Sequence, residues 1–537
     1  MNIKQLKTLC ENTELIVHNA RFEHKWLWSR GINANIVDDT FLMAYCVDER
    51  WPLDLQSLCL KLNVDVPFKK EYDNDVSNMD GERLIERNIR DSRNCYLLRD
   101  ILWGKMTEGE RKVYKKVLLP ATQNLARIEL KGIHYDKTVT EGVIRELEEN
   151  IAELDIQNDP VIVEFNKNSD KPFNIDSWMH KLVVVYDMLG YTPLNFEQAW
   201  NHDKDGNRTT PKTGIKILEK LLLQKPSPTI DKMIKLSSWT GWQEKYVKLE
   251  DMCDGGTSPC GTTHVHNVDG KDYVFTNLRL GNTTTGRIAS NHPNMQNMPS
   301  RAGGWTRRGF TSRYKEGVLI EADYSQIELK LMACRAEEDV LIKGFQQGVD
   351  QHTRMAGIAF GIAPEDITKE WRDKGKTLNF AVPFGRGAGG IAFDLNTTIQ
   401  EAQKWRKRFF KLHPKLKKYL TNVPKGGIIV SPTGMKRHCE TWTQAKNFPI
   451  QNTALITLLI AINRMIDNVD ADLILCIHDS VIFDIESIDK VPRVIQQIKD
   501  GMEFKPYELF DWIPIPLTVD FKIGKSLGEM KGYDSNN

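Results

Sequence analysis

The sequence has almost no surplus charge. Its 73 Lys and Arg residues face 72 Asp and Glu. Global electrostatics therefore neither requires nor excludes an anionic partner, and any nucleic-acid contact must come from local clustering. Nine cysteines are scattered without a Cys-x-x-Cys pair. That removes the common zinc and redox signatures and fits buried thiols in a reducing compartment. A long apolar run is also lacking. The most apolar stretch, around Ala454 to Ile462, contains Thr457 and is far too short to span a bilayer. The opening Met1-Asn2-Ile3-Lys4 has no signal-peptide core. These absences predict a soluble cytoplasmic protein with no membrane partner. There is no internal repeat and no low-complexity tract. With 537 residues, the chain is too long for one ordinary core and fits three or four domains.

Two distant stretches carry the clearest chemistry. Val318-Leu319-Ile320 leads into Glu321-Ala322-Asp323-Tyr324-Ser325-Gln326-Ile327-Glu328, and Leu473-Ile474-Leu475-Cys476-Ile477 leads into His478-Asp479-Ser480. Short aliphatic runs of this kind read as buried strands, which puts each Asp at a strand end or in a tight hairpin. Two carboxylates on adjacent strands could hold two divalent ions about 4 Å apart, as in-line phosphoryl displacement requires.

A third stretch spaces Arg372, Lys376, Phe380 and Phe384 four residues apart. On a helix these side chains share one face, cations first and aromatics after. A nucleoside triphosphate asks for that order, although an amphipathic helix with solvated cations would read the same. Pro383 and Gly385 should end or kink the helix. The tail Gly385-Arg386-Gly387-Ala388-Gly389-Gly390 lacks the Gly-Lys-Ser/Thr ending of a P-loop and reads as a flexible turn. Downstream, Lys404, Arg406, Lys407, Arg408, Lys411, Lys415, Lys417 and Lys418 interleave with Trp405, Phe409, Phe410 and Tyr419. This pattern fits either a single-stranded template path or a solvated face over a buried aromatic stripe.

Elsewhere Leu15-Ile16-Val17 predicts a short strand, and Phe22 to Trp28 and Arg145 to Leu154 predict helices. Asp254-Gly255-Gly256-Thr257-Ser258-Pro259 predicts a domain boundary.

The three chemical stretches resemble motifs A, C and B, in that order, of family A DNA polymerases, the group of bacterial DNA polymerase I and its phage relatives. Further segments are similar to the same family. Thr285-Gly286-Arg287-Ile288-Ala289-Ser290 and Pro293-Asn294-Met295-Gln296-Asn297-Met298-Pro299-Ser300-Arg301 resemble its primer-template segment. Asp350-Gln351-His352 resembles its Asp-x-His segment, and Asn447 to Ala454 the segment whose Gln touches the minor groove. Pro516 to Asp520, with Gly524, resembles the C-terminal strand. The likeness covers about residues 110 to 535, and its motifs occur in the family's order.

The resemblance implies roles. Asp323, Asp479 and the Tyr324 carbonyl would bind two Mg²⁺ ions, with Mn²⁺ as a substitute. Arg372, Lys376 and His352 would clamp the triphosphate, and Lys376 would be a general acid or an electrostatic stabiliser. Glu328 would exclude a 2′-hydroxyl. Phe380 would pack on the nucleotide beside Phe384 and, lacking a hydroxyl, discriminate against dideoxynucleotides. Arg287, Asn294, Gln296, Asn297, Asn447, Gln451 and His478 would contact primer-template DNA through minor-groove acceptors common to all correct pairs. Turn and cap chemistry is the competing explanation for the Asn and Gln residues. The chain departs from the family pattern at Ser480, where Glu is common, at Phe384 for Tyr, at Lys330 for Arg, and at Thr443, where a basic residue is common, with Lys446 close by.

The first hundred residues resemble the family's 3′–5′ exonuclease domain, incompletely. His18 to Glu23 is similar to the second exonuclease motif, with Glu23 where Asp is usual. Asp39 to Tyr45 matches a neighbouring helix. Asn88 to Asp91 is similar to the third motif, with Arg87 where Tyr is expected. The first motif, Asp-x-Glu, is not found among the 18 residues before Asn19. The expectations are no proofreading by this chain, no 5′ nuclease domain, and a missing strand that is lost, truncated or carried on a separate polypeptide.

The expected fold class is a mixed α/β and α+β multidomain chain, a right-hand polymerase behind a partial ribonuclease-H-like exonuclease domain. The boundaries are 1–109 for the exonuclease-like part, 110–255 for the thumb, 256–340 and 425–537 for the palm, and 341–424 for the fingers. The expected activity is DNA-templated DNA synthesis from dNTPs in a bacterial host cytoplasm if the chain is phage-encoded, with a processivity factor as a further conceivable partner. The alternatives are a single-subunit RNA polymerase, disfavoured by Glu328 and the Asn294–Pro299 segment, and a catalytically silent DNA-binding replication subunit.

Overall fold

The computed structural model describes residues 2–64, 80–242, 264–281, 283, 286–299, 304–504 and 510–534. The Asp254-to-Pro259 boundary, Thr285, Ser300 and Arg301 lie outside these residues.

A five-stranded antiparallel sheet organises the chain. Its spatial order is Asp472–Ile477, Ser480–Ile485, Val318–Tyr324, Val519–Gly524 and Lys531–Tyr533. The aliphatic runs around both chemical Asp residues are therefore strands, as predicted. Side chains alternate between the two faces of a strand. Val318, Ile320, Ala322 and Tyr324 enter one large core, whereas Leu319 joins a smaller core with Ile474, Leu475 and Ile482. Asp323 shares the parity of Leu319, which keeps its carboxylate off the main core. A register shift between Leu473 and Leu475 adjusts the strand that precedes Asp479.

The main core is continuous across sequence. It joins Leu42, Leu98 and Leu102 near the N-terminus to Tyr114, Leu125, Leu458, Leu459 and Phe483. The N-terminal unit has one parallel strand pair, Glu14–Val17 with Asn35–Asp39, flanked by Ala20–Trp28, Thr40–Val47 and Gly81–Lys105. The strand at Leu15–Val17 and the helix at Phe22–Trp28 thus follow prediction. Lys137–Glu153 contains most of the predicted Arg145-to-Leu154 helix. Residues between Ile156 and Leu236 build a separate core around Val184, Leu218, Ile230 and Met233, touched by Phe393.

Between the first and last sheet strands lies a helical layer. It includes Asp339–Gln346, Gln351–Phe360, Lys369–Ala381, Ala388–Leu395, Ile399–Leu412 and Pro414–Asn422. The Gly-rich tail is a turn only at its start, around Gly385 at φ 81°, and is helical from Ala388 on. Gly387 caps a helix that contains Gly389 and Gly390, because Ile391, Ala392 and Phe393 bury and Arg386 forms a bidentate pair with Asp394 at 2.9 and 3.0 Å. In the basic run, Phe409 is fully buried, Trp405 packs edge-on to Phe360 at 4.8 Å, and Arg408 donates to the Ala359 carbonyl at 2.6 Å. The aromatics there serve as core.

All seven cysteines among the described residues are free and buried. No helix among these residues is long and apolar enough to cross a membrane.

Candidate active site

Asp323 lies one residue before the end of its strand. It pairs in register with Ser480 on one side and Asp520 on the other. Asp479 belongs to the two-residue connection between Ile477 and Ser480, which are themselves paired. The tight turn forces His478 into the left-handed region, at φ 54°, a conformation costly for a non-Gly residue. The Ser480 hydroxyl donates to the Ile477 carbonyl at 2.9 Å and so braces the same turn. The Tyr324 amide donates to the Asp479 carbonyl at 3.4 Å, bringing the two stretches together. The Tyr324 phenol points the other way and donates to the Met502 carbonyl at 2.8 Å.

The two carboxylates are electrostatically uncomfortable without a cation. Burial, then the charges of Asp479, Glu321 and Asp520, push Asp323 up to about 7, against a smaller pull from Lys522. Asp479 is also raised by burial, opposed by Arg287 and His478. Such a pair suits divalent ions, whose charge would relieve both terms.

A cleft of about 630 Å³ opens over these carboxylates. Asp323, Asp479 and Asp520 line it together with Arg372, Lys376, His352 and Phe380. The spacing-four pattern is realised: Lys369–Ala381 is one helix, capped by the Thr368 hydroxyl. Phe384 lies just past its end, 6.5 Å from Phe380 and nearly parallel to it. A second cleft, of about 1330 Å³, is lined by Arg287, Phe384, Gly385, Thr443 and Gln451. Lys376, Phe380 and Glu328 line both clefts and form the wall between them.

Several predicted site residues already have protein partners. Arg372 donates through Nε to Asp350 at 2.6 Å. Burial opposes ionisation of Asp350, but its bonds from Arg372, Thr353 and the His352 amide hold it down at about 2. Arg287 pairs with the largely buried Glu328. Lys330, in place of Arg, donates to the Thr518 hydroxyl at 2.7 Å, and burial lowers it to about 8.

His352 lines the cleft beside Arg372 and Lys376. It is 3% exposed, and burial brings it down to about 4, so the ring is neutral near pH 7. Asn379 Nδ2 is fixed by the Gln351 carbonyl at 2.8 Å and donates to His352 Nδ1 at 3.1 Å. The ring proton is therefore assigned to Nε2, which offers one neutral donor.

The polar residues expected to meet a duplex divide into two groups. The Asn294 side chain caps a short 3-10 turn by accepting from the Gln296 and Asn297 amides at 3.1 and 3.2 Å, and Gln296 donates to the Cys476 carbonyl at 3.2 Å. Cap chemistry accounts for Asn294, whereas Gln296 ties this segment to the strand before Asp479. Asn447 and Gln451 sit four apart on the helix Trp442–Met465, and each carries a buried side-chain oxygen with no hydrogen-bond partner. Sequence reasoning gave no role to Asp520 or Asn379. Asp520 was signalled only by its place on a strand that resembles the family's last one. Asn379 had no local signal.

In the N-terminal unit, Asp39 spends its carboxylate on the Asn19, Ala20 and Phe41 amides at 2.9 to 3.0 Å. Asp91 lies 3.6 Å from Arg87 and 3.9 Å from Arg90. Glu23 is raised by burial and then by Asp39.

A strand-end carboxylate, a cationic helix and a hairpin-turn carboxylate, in this order along the chain, define the class. The family model described as DNA polymerase family A matches residues 144–529, and the chain belongs to that family. Among its relatives, the thermostable DNA polymerase I of Thermus thermophilus is 27% identical over 513 residues, covering 89% of this chain and 57% of that protein. DNA polymerase I of Geobacillus stearothermophilus is 26% identical over 84% of this chain and 50% of its own length. The chain thus spans about half the length of these curated relatives. A solved structure, the POL domain of Pol1 from M. smegmatis in complex with DNA primer-template and dNTP, has the same fold. It superposes with a TM-score of 0.77 at 22% identity, covering 95% of this chain and 85% of that one.

Proposed function

We propose that this chain is a DNA-templated DNA polymerase that adds dNTPs to a primer 3′-hydroxyl. One observation carries the reading: Asp323, Asp479, Arg372, Lys376 and Phe380, from three separate stretches, converge on a single cleft.

Asp323, Asp479 and the Tyr324 carbonyl would hold two Mg²⁺ ions, or Mn²⁺ in their place. When bound, such ions supply activation of the attacking hydroxyl and charge stabilisation of the leaving group. The chain's own residues do the rest. Arg372 and Lys376 bind the triphosphate and offset charge on the departing pyrophosphate, and His352 adds a neutral donor. The primer oxygen bonds to the α-phosphorus as the bond to the bridging oxygen breaks, and the hydroxyl proton passes to solvent. Phe380 stacks on the nucleotide. Glu328, held by Arg287, meets the sugar and rejects a 2′-hydroxyl. Phe384, Arg287, Asn447, Gln451 and His478 face the nascent pair and the primer-template, with Asn294, Gln296 and Asn297 shaping the segment beside them.

The palm would comprise 256–340 and 425–537, the fingers 341–424 and the thumb 110–255, with 1–109 as an exonuclease-like unit. Asp39 and Asp91 are both engaged by protein groups. The pairing of Asp91 supports a unit without 3′ excision.

Primer extension with Mg²⁺ tests the reading. Wild type should extend from dNTPs, and Asp479→Asn should lose extension by orders of magnitude. Extension from NTPs instead would indicate an RNA polymerase, and no extension by wild type a silent DNA-binding subunit. Release of nucleotides from a mismatched 3′ end, abolished by Asp91→Ala, would overturn the assignment of the N-terminal unit.

A further inference from the structure

Away from the polymerase clefts, three metal-competent side chains meet where the N-terminal unit touches the hairpin formed by Gly427–Val430 and Lys436–Cys439. Asp48 and Glu49 follow the helix Thr40–Val47, and His438 comes from the second hairpin strand. One ligand atom from each lies within 4.8 Å of the others, and no second group of three is found among the described residues.

The spacing is that of ligands, not of hydrogen bonds. His438 Nδ1 lies 3.6 Å from Asp48 Oδ1 and 3.6 Å from Glu49 Oε2. Both separations are too long for N–H···O bonds. Two ligands of a tetrahedral ion with bonds of about 2.1 Å lie about 3.4 Å apart. Independently, His438 Nδ1 is buried with no hydrogen-bond partner.

The surroundings hold the three residues in place without an ion. Glu49 Oε1 accepts the His438 amide at 2.6 Å, which leaves Oε2 toward the ring. The Arg437 guanidinium lies 4.0 Å over the Tyr45 ring and fixes the hairpin against the same segment. Arg50 donates to Asp48 Oδ1 through its amide and Nε at 3.0 and 2.9 Å, and to Oδ2 through Nη2 at 2.8 Å. Oδ1, the oxygen that faces the His438 ring, would be freed of one of its two bonds when the Arg50 side chain leaves. The Arg50 side chain is exposed and would compete with an ion for Asp48.

We propose that Asp48, Glu49 and His438 form a site for a divalent transition-metal ion of the zinc type that clips the N-terminal unit to this hairpin. Nitrogen with two oxygens selects such an ion over Mg²⁺, and three protein ligands leave a fourth position for water. The site is separate from the all-oxygen pair at Asp323 and Asp479, and it does not depend on the polymerase reading.

Zn²⁺ binding to the full chain by equilibrium dialysis tests it, in an Asp323→Asn, Asp479→Asn background that removes the other carboxylate pair. One ion per chain is expected. His438→Gln should weaken binding by more than about tenfold and Arg50→Ala should tighten it. In the otherwise wild-type chain, His438→Gln should keep its circular dichroism spectrum and its primer extension, so that lost zinc is not lost folding. No zinc uptake, or equal uptake by the His438→Gln chain, would overturn the proposal. Unchanged affinity in Arg50→Ala would remove Asp48 from the ligand set and overturn it as stated.

Discussion

Arg372 and Asp350 meet across two packed helices, with Arg372 Nε 2.6 Å from Asp350 Oδ2. The cation expected to grip a triphosphate is thus already aimed by a carboxylate, and it remains about half-exposed in the cleft. A charge-assisted hydrogen bond to phosphate is worth roughly 1.5–3 kcal/mol, or about 10- to 100-fold in affinity. Arg372→Ala should therefore raise KM for dNTP by about that factor. Asp350→Asn should have a smaller effect, because it removes the aim and not the charge. Steady-state primer-extension kinetics across dNTP concentration would check both, and an unchanged KM in Arg372→Ala would remove it from the triphosphate site.

Glu328 is the largely buried partner of the half-exposed Arg287, and burial raises its carboxyl above the usual range even though Arg287 opposes the shift. Its truncation opens the wall shared by the two clefts. Glu328→Ala should increase the ratio of NTP to dNTP incorporation by at least about tenfold, equivalent to roughly 1.4 kcal/mol of lost discrimination. The measurement is competitive extension with matched nucleotides. An unchanged ratio would place the sugar filter elsewhere.

Phe380 lines both clefts and offers no hydroxyl. Phe380→Tyr should raise dideoxynucleotide incorporation relative to dNTP by about tenfold, the value of one well-placed hydrogen bond. Wild-type chain that already accepts dideoxynucleotides as well as dNTPs would refute the premise.

His413 is 1% exposed, packs on Phe409 at 4.8 Å, and has no hydrogen-bond partner on either ring nitrogen. Burial, assisted by Arg354, lowers it to about 4, below its ordinary 6.5. The unfolded chain therefore takes up this proton first. The associated stability is complete above pH 6.5 and is lost as pH falls toward and through 4. For one buried group the loss is roughly 3 kcal/mol. His413→Leu should be about 1 kcal/mol more stable at pH 7, since it removes unpartnered nitrogens, and its advantage should widen on acidification. Urea melts at pH 7 and pH 5 would show this, and parallel acid losses in both chains would contradict it.

Much of the candidate site is written locally. Aliphatic runs before Asp323 and Asp479 read as buried strands, and four-residue spacing on a helix puts Arg372, Lys376 and Phe380 on one face. The Gly-rich tail misled for a physical reason. Glycine's intrinsic preference is outweighed there by burial of Ile391 and Phe393 and by the Arg386–Asp394 pair, which are tertiary and medium-range effects. Asn294 reads equally well as a DNA contact or a cap until its partners are seen.

The sequence by itself determined which side chains are available, the strands and helix that carry them, and their order, because these follow from periodicity over a few residues. Tertiary structure alone decided their states. Burial beside Asp479, Glu321 and Asp520 makes Asp323 hard to ionise, and burial beside Asn379 makes His352 neutral. Pairing with Asp350 aims Arg372, and the docking of two units brings His438 to Asp48 and Glu49. Each of these depends on desolvation and on contacts between residues far apart in the chain, which no local pattern encodes.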